Sequence, residues 1–261
     1  SGNGLSCTRE LHESTGCKIS LTANTPIELT AKAPGTGEGW ATFAGFDGAC
    51  SGGICSFKLE SSKPVVAIFR AKGALAFVTS ETRSGKLDAK GDGAGAISGD
   101  RICQSFAEGQ WLPGRKWTAW LSDPNGGPPK RFSSLTPNTP IVRLDGLPVM
   151  STGYQQEKLD NALVLDEYGK QISKLNTRVW TATNASGKPI PEDAPYCGTE
   201  GGILLPGRPP WSSEESYIVY GVGYASSTEV TWSSNPKASE KYYCNLHAHL
   251  YCFQDVNWQP K

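Results

Sequence analysis

The chain has 261 residues, and its 25 lysines and arginines balance its 25 aspartates and glutamates. A protein that binds nucleic-acid phosphates or an anionic membrane surface needs a basic surplus, so the zero net charge argues against both classes. Aromatic residues make up 10% of the chain, and no apolar run is long enough to cross a bilayer. We therefore predict a folded protein of one or two domains, with no transmembrane segment and no nucleic-acid partner.

The chain begins at Ser1, and its only methionine is Met150. We therefore expect a processed piece of a longer protein, in which no signal peptide can be recognised. What precedes Ser1 or follows Lys261 in the parent protein is not encoded here.

The eight cysteines form an even set, with no CxxC pair and no zinc-finger spacing. This pattern favours disulfides and a secreted or cell-surface location; the alternative is a set of buried free thiols in a cytosolic protein. Four cysteines lie early and four lie late, so we place a domain boundary in the gap between Cys55 and Cys103. The predicted domains are residues 1–73 and residues 74–261.

Residues 1–73 show short strand patterns separated by glycine, proline and serine clusters, with no helical period. The predicted strands are residues 17–21, 26–32, 55–60 and 64–70. Cys50 and Cys55 flank a Gly-Gly turn, which favours a local Cys50–Cys55 disulfide, and Cys7–Cys17 would close another short loop. We predict a small all-β unit stapled by these two disulfides.

Two stretches of this unit carry a family resemblance: IELTAKAP at residues 27–34 and GWATFAGFDGACSGGICSFKLESSKPVVAIF at residues 39–69. They resemble the repeated β-modules of bacterial surface proteins of the internalin B-repeat type. The resemblance implies a β-grasp-like module that spaces and displays other domains on a cell surface.

Residues 74–80 form an apolar strand pattern, and a helix is predicted from Ser98. Ser98 would be its N-cap and Asp100 would lie in its first turn, near the positive end of the helix dipole. Ile102, Cys103 and Phe106 would share one face of this helix. Further strands are predicted at residues 117–121, 179–183, 217–222, 229–232 and 242–253, with a long polar loop region between residues 184 and 216.

Six short motifs in this region occur together: FVTS at 77–80, GDRICQ at 99–104, WTAWLSD at 117–123, DEYG at 166–169, VWTAT at 179–183 and LYCFQ at 250–254. Together they resemble the bacterial endostatin-like family, a branch of the C-type-lectin-like fold found in leptospiral and myxobacterial secreted proteins. The resemblance implies an α+β fold with long loops for residues 74–261. It also implies a nested pair of disulfides, Cys103–Cys252 and Cys197–Cys244.

The triplets that bind calcium in C-type lectins, Glu-Pro-Asn or Gln-Pro-Asp and Trp-Asn-Asp, do not occur. We therefore predict no cofactor, although calcium elsewhere remains open, with Asp145, Asp166 and Glu167 as candidate ligands. His247 and His249 would point to the same face of a strand and could form a two-imidazole metal site. The alternatives are solvated turn carboxylates and strand histidines packed beside tyrosines.

No G-x-S-x-G or HExxH motif occurs, and we predict that the protein is not an enzyme. A secreted hydrolase with a carboxylate pair is the alternative. Aromatic residues in the long loops favour binding instead, and the candidate ligand-binding residues are Tyr196, Trp211, Tyr217 and Trp232. Trp211 is either exposed for ligand contact or a loop anchor packed against the core.

Together these observations predict an extracellular binding or adhesion module of a bacterial surface or secreted protein. Its partner would be a glycan or a protein on another cell or matrix, bound through the long-loop face without the calcium motif of lectins. The alternative is that both domains are structural spacers in a fibre. The identity of the ligand and the oligomeric state are not encoded in any pattern we recognise.

Overall fold

The computed structural model describes most of the chain between residues 22 and 255. The described residues are 22, 24–31, 41–48, 50, 53–58, 60, 65–71, 73–88, 94–110, 112, 116–190, 197, 199–200, 203–204, 210–212, 218–219, 222–233 and 242–255. The strand predicted at residues 17–21 and the predicted Cys7–Cys17 disulfide lie outside these residues.

The first four strands form two separate antiparallel pairs. Strand β1 (Pro26–Leu29) pairs with β3 (Cys55–Lys58), and β2 (Ala41–Gly48) pairs with β4 (Val65–Ala71). In β1 and β3 the less exposed side chains alternate with exposed ones, with Ile27 and Cys55 buried, and the Phe43 and Phe46 rings of β2 lie 4.9 Å apart.

The remaining strands are short and lie on both sides of one helix in the sequence. They are β5 (Ala74–Val78), β6 (Trp117–Ala119), β7 (Ile141–Arg143), β8 (Pro148–Met150), β9 (Arg178–Trp180), β10 (Thr199–Glu200), β11 (Ile203–Leu204), β12 (Ile218–Val219), β13 (Val222–Tyr224), β14 (Tyr242–Tyr243) and β15 (His249–Gln254). The helix is α1 (Ala96–Gly109), and two 3-10 turns are Pro128–Lys130 and Val230–Trp232.

Seven of these strands form one mixed sheet in the order β13-β9-β15-β5-β7-β8, with β6 also paired to β15. Strand β15 is antiparallel to β5 and β6 and parallel to β9, and β5 is parallel to β7. Every residue of β5 and β15 is buried, because both faces of the sheet are covered. The C-terminal strand is therefore at the centre of the fold.

Alternation along β5 sends side chains into two cores. Leu75 and Phe77 face the core shared with α1, while Ala76 and Val78 face the core that contains Trp120. Gly99 allows α1 to approach β6 closely, since a Cβ at this position would lie 3.0 Å from the Ala119 Cβ.

The predicted cap of α1 is wrong. The helix begins at Ala96, after Gly95 at φ 57°, so Ser98 and Asp100 lie inside the helix rather than at its start. The capping acceptor comes from a distant loop, where Asp123 Oδ2 accepts a hydrogen bond from the Ala96 N–H at 2.9 Å.

We expect Asp123→Ala to lower the free energy of unfolding by about 2 kcal/mol, because the substitution removes the helix cap and the acceptor of the Asn125 N–H. Urea denaturation measures the change. Asn125→Ala is the matched control, since it lies in the same turn, is exposed and keeps its own N–H. Equal stabilities of the two variants would contradict the capping role.

The predicted α+β, C-type-lectin-like fold class with a β-grasp-like first domain is wrong. Within the described residues, most of the regular secondary structure is β-strand, organised around a curled mixed sheet, and there is one α-helix of 14 residues. The physical reason is local: the apolar helical period occurs around Ile102 to Phe106, whereas short apolar runs interrupted by glycine and proline dominate elsewhere.

Three further predicted strands also differ from the structure. Residues 229–232 contain a 3-10 turn, which follows a turn in which the Ser227 hydroxyl accepts the Glu229 N–H. The strand predicted at 242–253 is interrupted between β14 and β15 by a turn in which the Leu246 N–H donates to the Tyr243 carbonyl. The region 217–222 contributes to two strands, β12 and β13, and the short strands β7 and β8 were not predicted.

Disulfides join Cys50 to Cys55, Cys103 to Cys252 and Cys197 to Cys244, which are the three predicted pairs within the described residues. Cys103–Cys252 joins α1 to β15 across 149 positions of sequence. Within the ranges given above, no helix is long and apolar enough to span a bilayer. Strands β1–β4 share no described hydrogen-bonded pairing with the main sheet, and the domain boundary at residues 73 and 74 stays a prediction.

Candidate functional site

The two candidate ligand-binding tryptophans that the structure describes, Trp211 and Trp232, are buried. Trp211 is fully buried, its indole N–H donates to the Ser122 carbonyl at 2.8 Å, and its ring lies 5.9 Å from that of Trp180. Trp211 is therefore a loop anchor packed against the core rather than an exposed ligand contact. Trp232 is also fully buried, and its indole N–H donates a hydrogen bond to the Glu157 carbonyl. The other two candidates, Tyr196 and Tyr217, lie outside the described residues.

An open cleft of about 630 Å³ lies elsewhere, beyond the C-terminal end of β5 and beside the start of β15. Most of the residues that line it have polar side chains. They are Ser80, Glu81, Thr82, Asp166, Gln171, Ile172, Ser173, Asn176 and His249. Three separate stretches of the chain thus meet at this cleft.

The main sheet positions the base of the cleft. Strand β5 ends at Val78, and the next residue, Thr79, donates its N–H to the Leu250 carbonyl at 2.9 Å. The Thr79 hydroxyl accepts the Leu250 N–H at 3.0 Å, so the pairing of the two strands continues past β5. Ser80 and His249 therefore lie next to the hydrogen-bonded ends of the two central strands.

A tight turn at residues 166–169 places Asp166 in the wall of the cleft. Asp166 Oδ1 accepts the N–H groups of Tyr168 and Lys170 at 3.0 and 2.8 Å, and Gly169 takes up φ 72°. Such a turn favours an Asp at its start and a glycine where φ is positive. The turn is joined to the main sheet because the Val78 N–H donates to the Leu165 carbonyl at 2.8 Å.

Glu167 joins this turn to the residues that follow β5 through hydrogen bonds from Ser80. Its side chain is fully buried; Oε2 accepts the Ser80 N–H at 2.8 Å, and Oε1 bonds the Ser80 hydroxyl. Burial raises the pKa of the Glu167 carboxyl, although the hydrogen bonds from Ser80 oppose this shift. We interpret Glu167 as a positioning residue for the cleft.

His249 connects two walls of the cleft. Its Nδ1 lies 2.6 Å from the Thr79 carbonyl oxygen, and its Nε2 lies 3.2 Å from the Asn176 carbonyl oxygen. Burial lowers the pKa of the His249 imidazole, while the two carbonyls and the charge of Asp166 oppose this shift. A neutral imidazole donates only one hydrogen bond, so it can satisfy only one of the two carbonyls.

Two exposed side chains, Tyr168 and Leu175, lie in the sequence between residues that line the cleft. Leu175 is 94% exposed, and Tyr168 is 39% exposed with the Lys170 ammonium 5.8 Å from its ring centre. Leu175 is held in a short turn in which its N–H donates to the Ser173 hydroxyl at 3.3 Å. Both side chains are therefore accessible to a partner that approaches this part of the surface.

The candidate metal ligands have different environments. Asp166 and His249 both line the cleft and Glu167 lies behind it, whereas His247 is exposed in the turn before β15 and Asp145 pairs with Arg143. In the part of the chain that the structure describes, no three His, Cys, Asp or Glu side chains are grouped so that they could hold a metal ion.

Most of the lining residues were not predicted from sequence, because serine, threonine, asparagine and glutamine in loops carry no distinctive spacing. The turn motif Asp166-Glu167-Tyr168-Gly169 is the one usable signal, since it places an aromatic residue at an exposed turn. Comparison of the sequence with family models and with curated proteins gives no match. The resemblance to the endostatin-like family therefore stays a prediction.

Proposed function

We propose that the protein is an extracytoplasmic binding module of a bacterial surface or secreted protein, and that its cleft binds a glycan. The observation that carries this proposal is the cleft itself, whose lining mixes hydroxyl, amide and carboxylate groups; Tyr168, which is 39% exposed, lies in the same turn as the lining residue Asp166. The three disulfides support the extracytoplasmic location, because such bonds persist in oxidising compartments.

The chemistry of the lining favours sugar hydroxyls over an apolar ligand. Ser, Thr, Asn and Gln side chains provide both donors and acceptors, and carboxylates accept hydrogen bonds from hydroxyl groups. Small apolar ligands prefer enclosed pockets lined mostly by hydrophobic side chains. Ile172 is the one large apolar residue in this lining. The proposed site thus moves from the long-loop face to the cleft at the end of β5.

We expect Tyr168→Ala to weaken glycan binding about tenfold, because the exposed ring offers the flat apolar face on which a sugar ring can stack. A glycan array identifies the ligand, and calorimetry with the strongest binder measures the change. Tyr243→Ala is the matched control, since Tyr243 is also 39% exposed but lies in β14 rather than in the turn that carries Asp166.

Equal affinities of the Tyr168→Ala and Tyr243→Ala variants would place the binding site away from this cleft. Absence of binding to every glycan in the array would contradict the proposal and favour the spacer role.

A further inference from the structure

We propose that the glycan bound in this cleft carries a protonated primary amine, as an amino sugar does, and that Asp166 binds the ammonium group. This inference rests on the proposed function and names the chemical class of its ligand. Its basis is the set of hydrogen bonds that the Asp166 carboxylate accepts within the fold.

The two oxygens of Asp166 have different roles. Oδ1 accepts the two backbone N–H groups of the turn, while none of the described residues donates a hydrogen bond to Oδ2. The residue is only 8% exposed and lines the cleft. A carboxylate can accept about four hydrogen bonds, so Oδ2 retains capacity for a donor that enters the cleft.

The charges around the cleft favour a cation. Two of the nine lining residues, Glu81 and Asp166, are acidic, and none is a lysine or an arginine. Outside the lining, the Arg83 guanidinium lies 3.3 Å from Glu81 Oε2 in an exposed pair, and the Lys170 ammonium lies 5.8 Å from the Tyr168 ring centre. Because Arg83 offsets part of the Glu81 charge, the buried Asp166 carboxylate is the main negative charge of the lining.

His249, the remaining titratable side chain of the lining, adds little positive charge to the cleft. Burial lowers the pKa of His249, which disfavours a positive charge on the imidazole. An ammonium group brings three donors and a full positive charge, so it suits an acceptor-rich and negatively charged lining. An acetylated amine has lost this charge and all but one of its donors.

The experiment compares calorimetric binding of a β-1,4-linked glucosamine hexasaccharide with that of its fully N-acetylated form, at a pH at which the free amines are protonated. We expect the glucosamine form to bind at least about tenfold more tightly. Asp166→Asn should remove this difference. Asparagine keeps an oxygen that can accept the Tyr168 and Lys170 N–H groups, so the turn and the melting temperature should change little.

Glu108→Gln is the matched control, since it removes one exposed carboxylate on α1, remote from the cleft lining, and should leave the preference intact. Equal affinities of the wild type for both saccharides, or an Asp166→Asn variant that keeps the preference, would overturn this inference and leave the proposed function in place. Failure of the wild type to bind any glycan in the array would overturn both.

Discussion

Replacing both Cys103 and Cys252 by alanine is expected to lower the free energy of unfolding by about 5 kcal/mol. The two residues are fully buried and 149 positions apart, so their disulfide closes a very long loop of the unfolded chain. In the chain-entropy account, a longer loop restricts the unfolded state more strongly and so stabilises the fold more. The bond also joins α1 to the central strand β15, and its loss should loosen the packing between them.

Chemical denaturation of the oxidised proteins measures this effect. The paired control is Cys50→Ala with Cys55→Ala, whose disulfide closes a loop of only five positions and should contribute about 2 kcal/mol. A Cys103/Cys252 variant that lost no more stability than this control would contradict the loop-length argument. Peptide mapping without reductant checks the pairing itself.

Replacing Asp255 by asparagine is expected to lower the free energy of unfolding by about 3 kcal/mol. The Asp255 carboxylate accepts the backbone N–H groups of Ser133, Ser134 and Leu135 at 2.7 to 3.0 Å. Its Oδ2 also lies 2.7 Å from the Lys116 ammonium. Asparagine would leave some of these N–H groups, of which that of Leu135 is buried, without an acceptor and would remove the charge that attracts Lys116.

The contribution of Asp255 depends on pH. Burial would raise the pKa of Asp255, but the Lys116 ammonium and the three N–H groups outweigh burial and lower it. A carboxyl whose pKa is lower in the folded state stabilises the fold above its unfolded pKa of about 3.9. This stabilisation is lost as the pH falls through the folded pKa.

The stability difference between the wild type and Asp255→Asn should therefore be full at neutral pH and should shrink in acid. Denaturation curves recorded from pH 7 to strongly acidic buffer test this. Asp160→Asn is the control, since Asp160 is exposed. Burial would raise the pKa of Asp160, but hydrogen bonds from Ser151 and Gln156 lower it, as with Asp255. We expect a change below about 1 kcal/mol for this control. A pH-independent effect of Asp255→Asn would contradict the electrostatic explanation.

Local elements of the fold were predictable from the sequence, whereas a contact between distant segments was not. The apolar strand at 74–80 and the helix around Cys103 were predictable, because the period of apolar residues in a short window determines such elements. The cap of α1 was not predictable, since Asp123 is 27 positions away from the N–H that it accepts. Ser98 has the residue type of a cap, but tertiary packing places it inside the helix.

The burial of Trp211 also depends on contacts with distant parts of the chain. Its loop is rich in proline, glycine and small polar residues, which is typical of an exposed segment. Its indole is nevertheless held in the core by the Ser122 carbonyl and the ring of Trp180. An apolar ring of this size gains more from burial than from exposure when the fold offers it a hydrogen-bond acceptor.

By itself, the sequence determined the balance of charge, the strand-forming segments and a set of cysteines suited to an oxidising environment. Only the tertiary structure decided which loops meet. Ser80, Asp166 and His249 come from stretches far apart in the chain, and they line one cleft because β5 and β15 pair at the centre of the sheet. Local patterns record the preferences of neighbouring residues, whereas a site built from distant loops depends on the path of the whole chain.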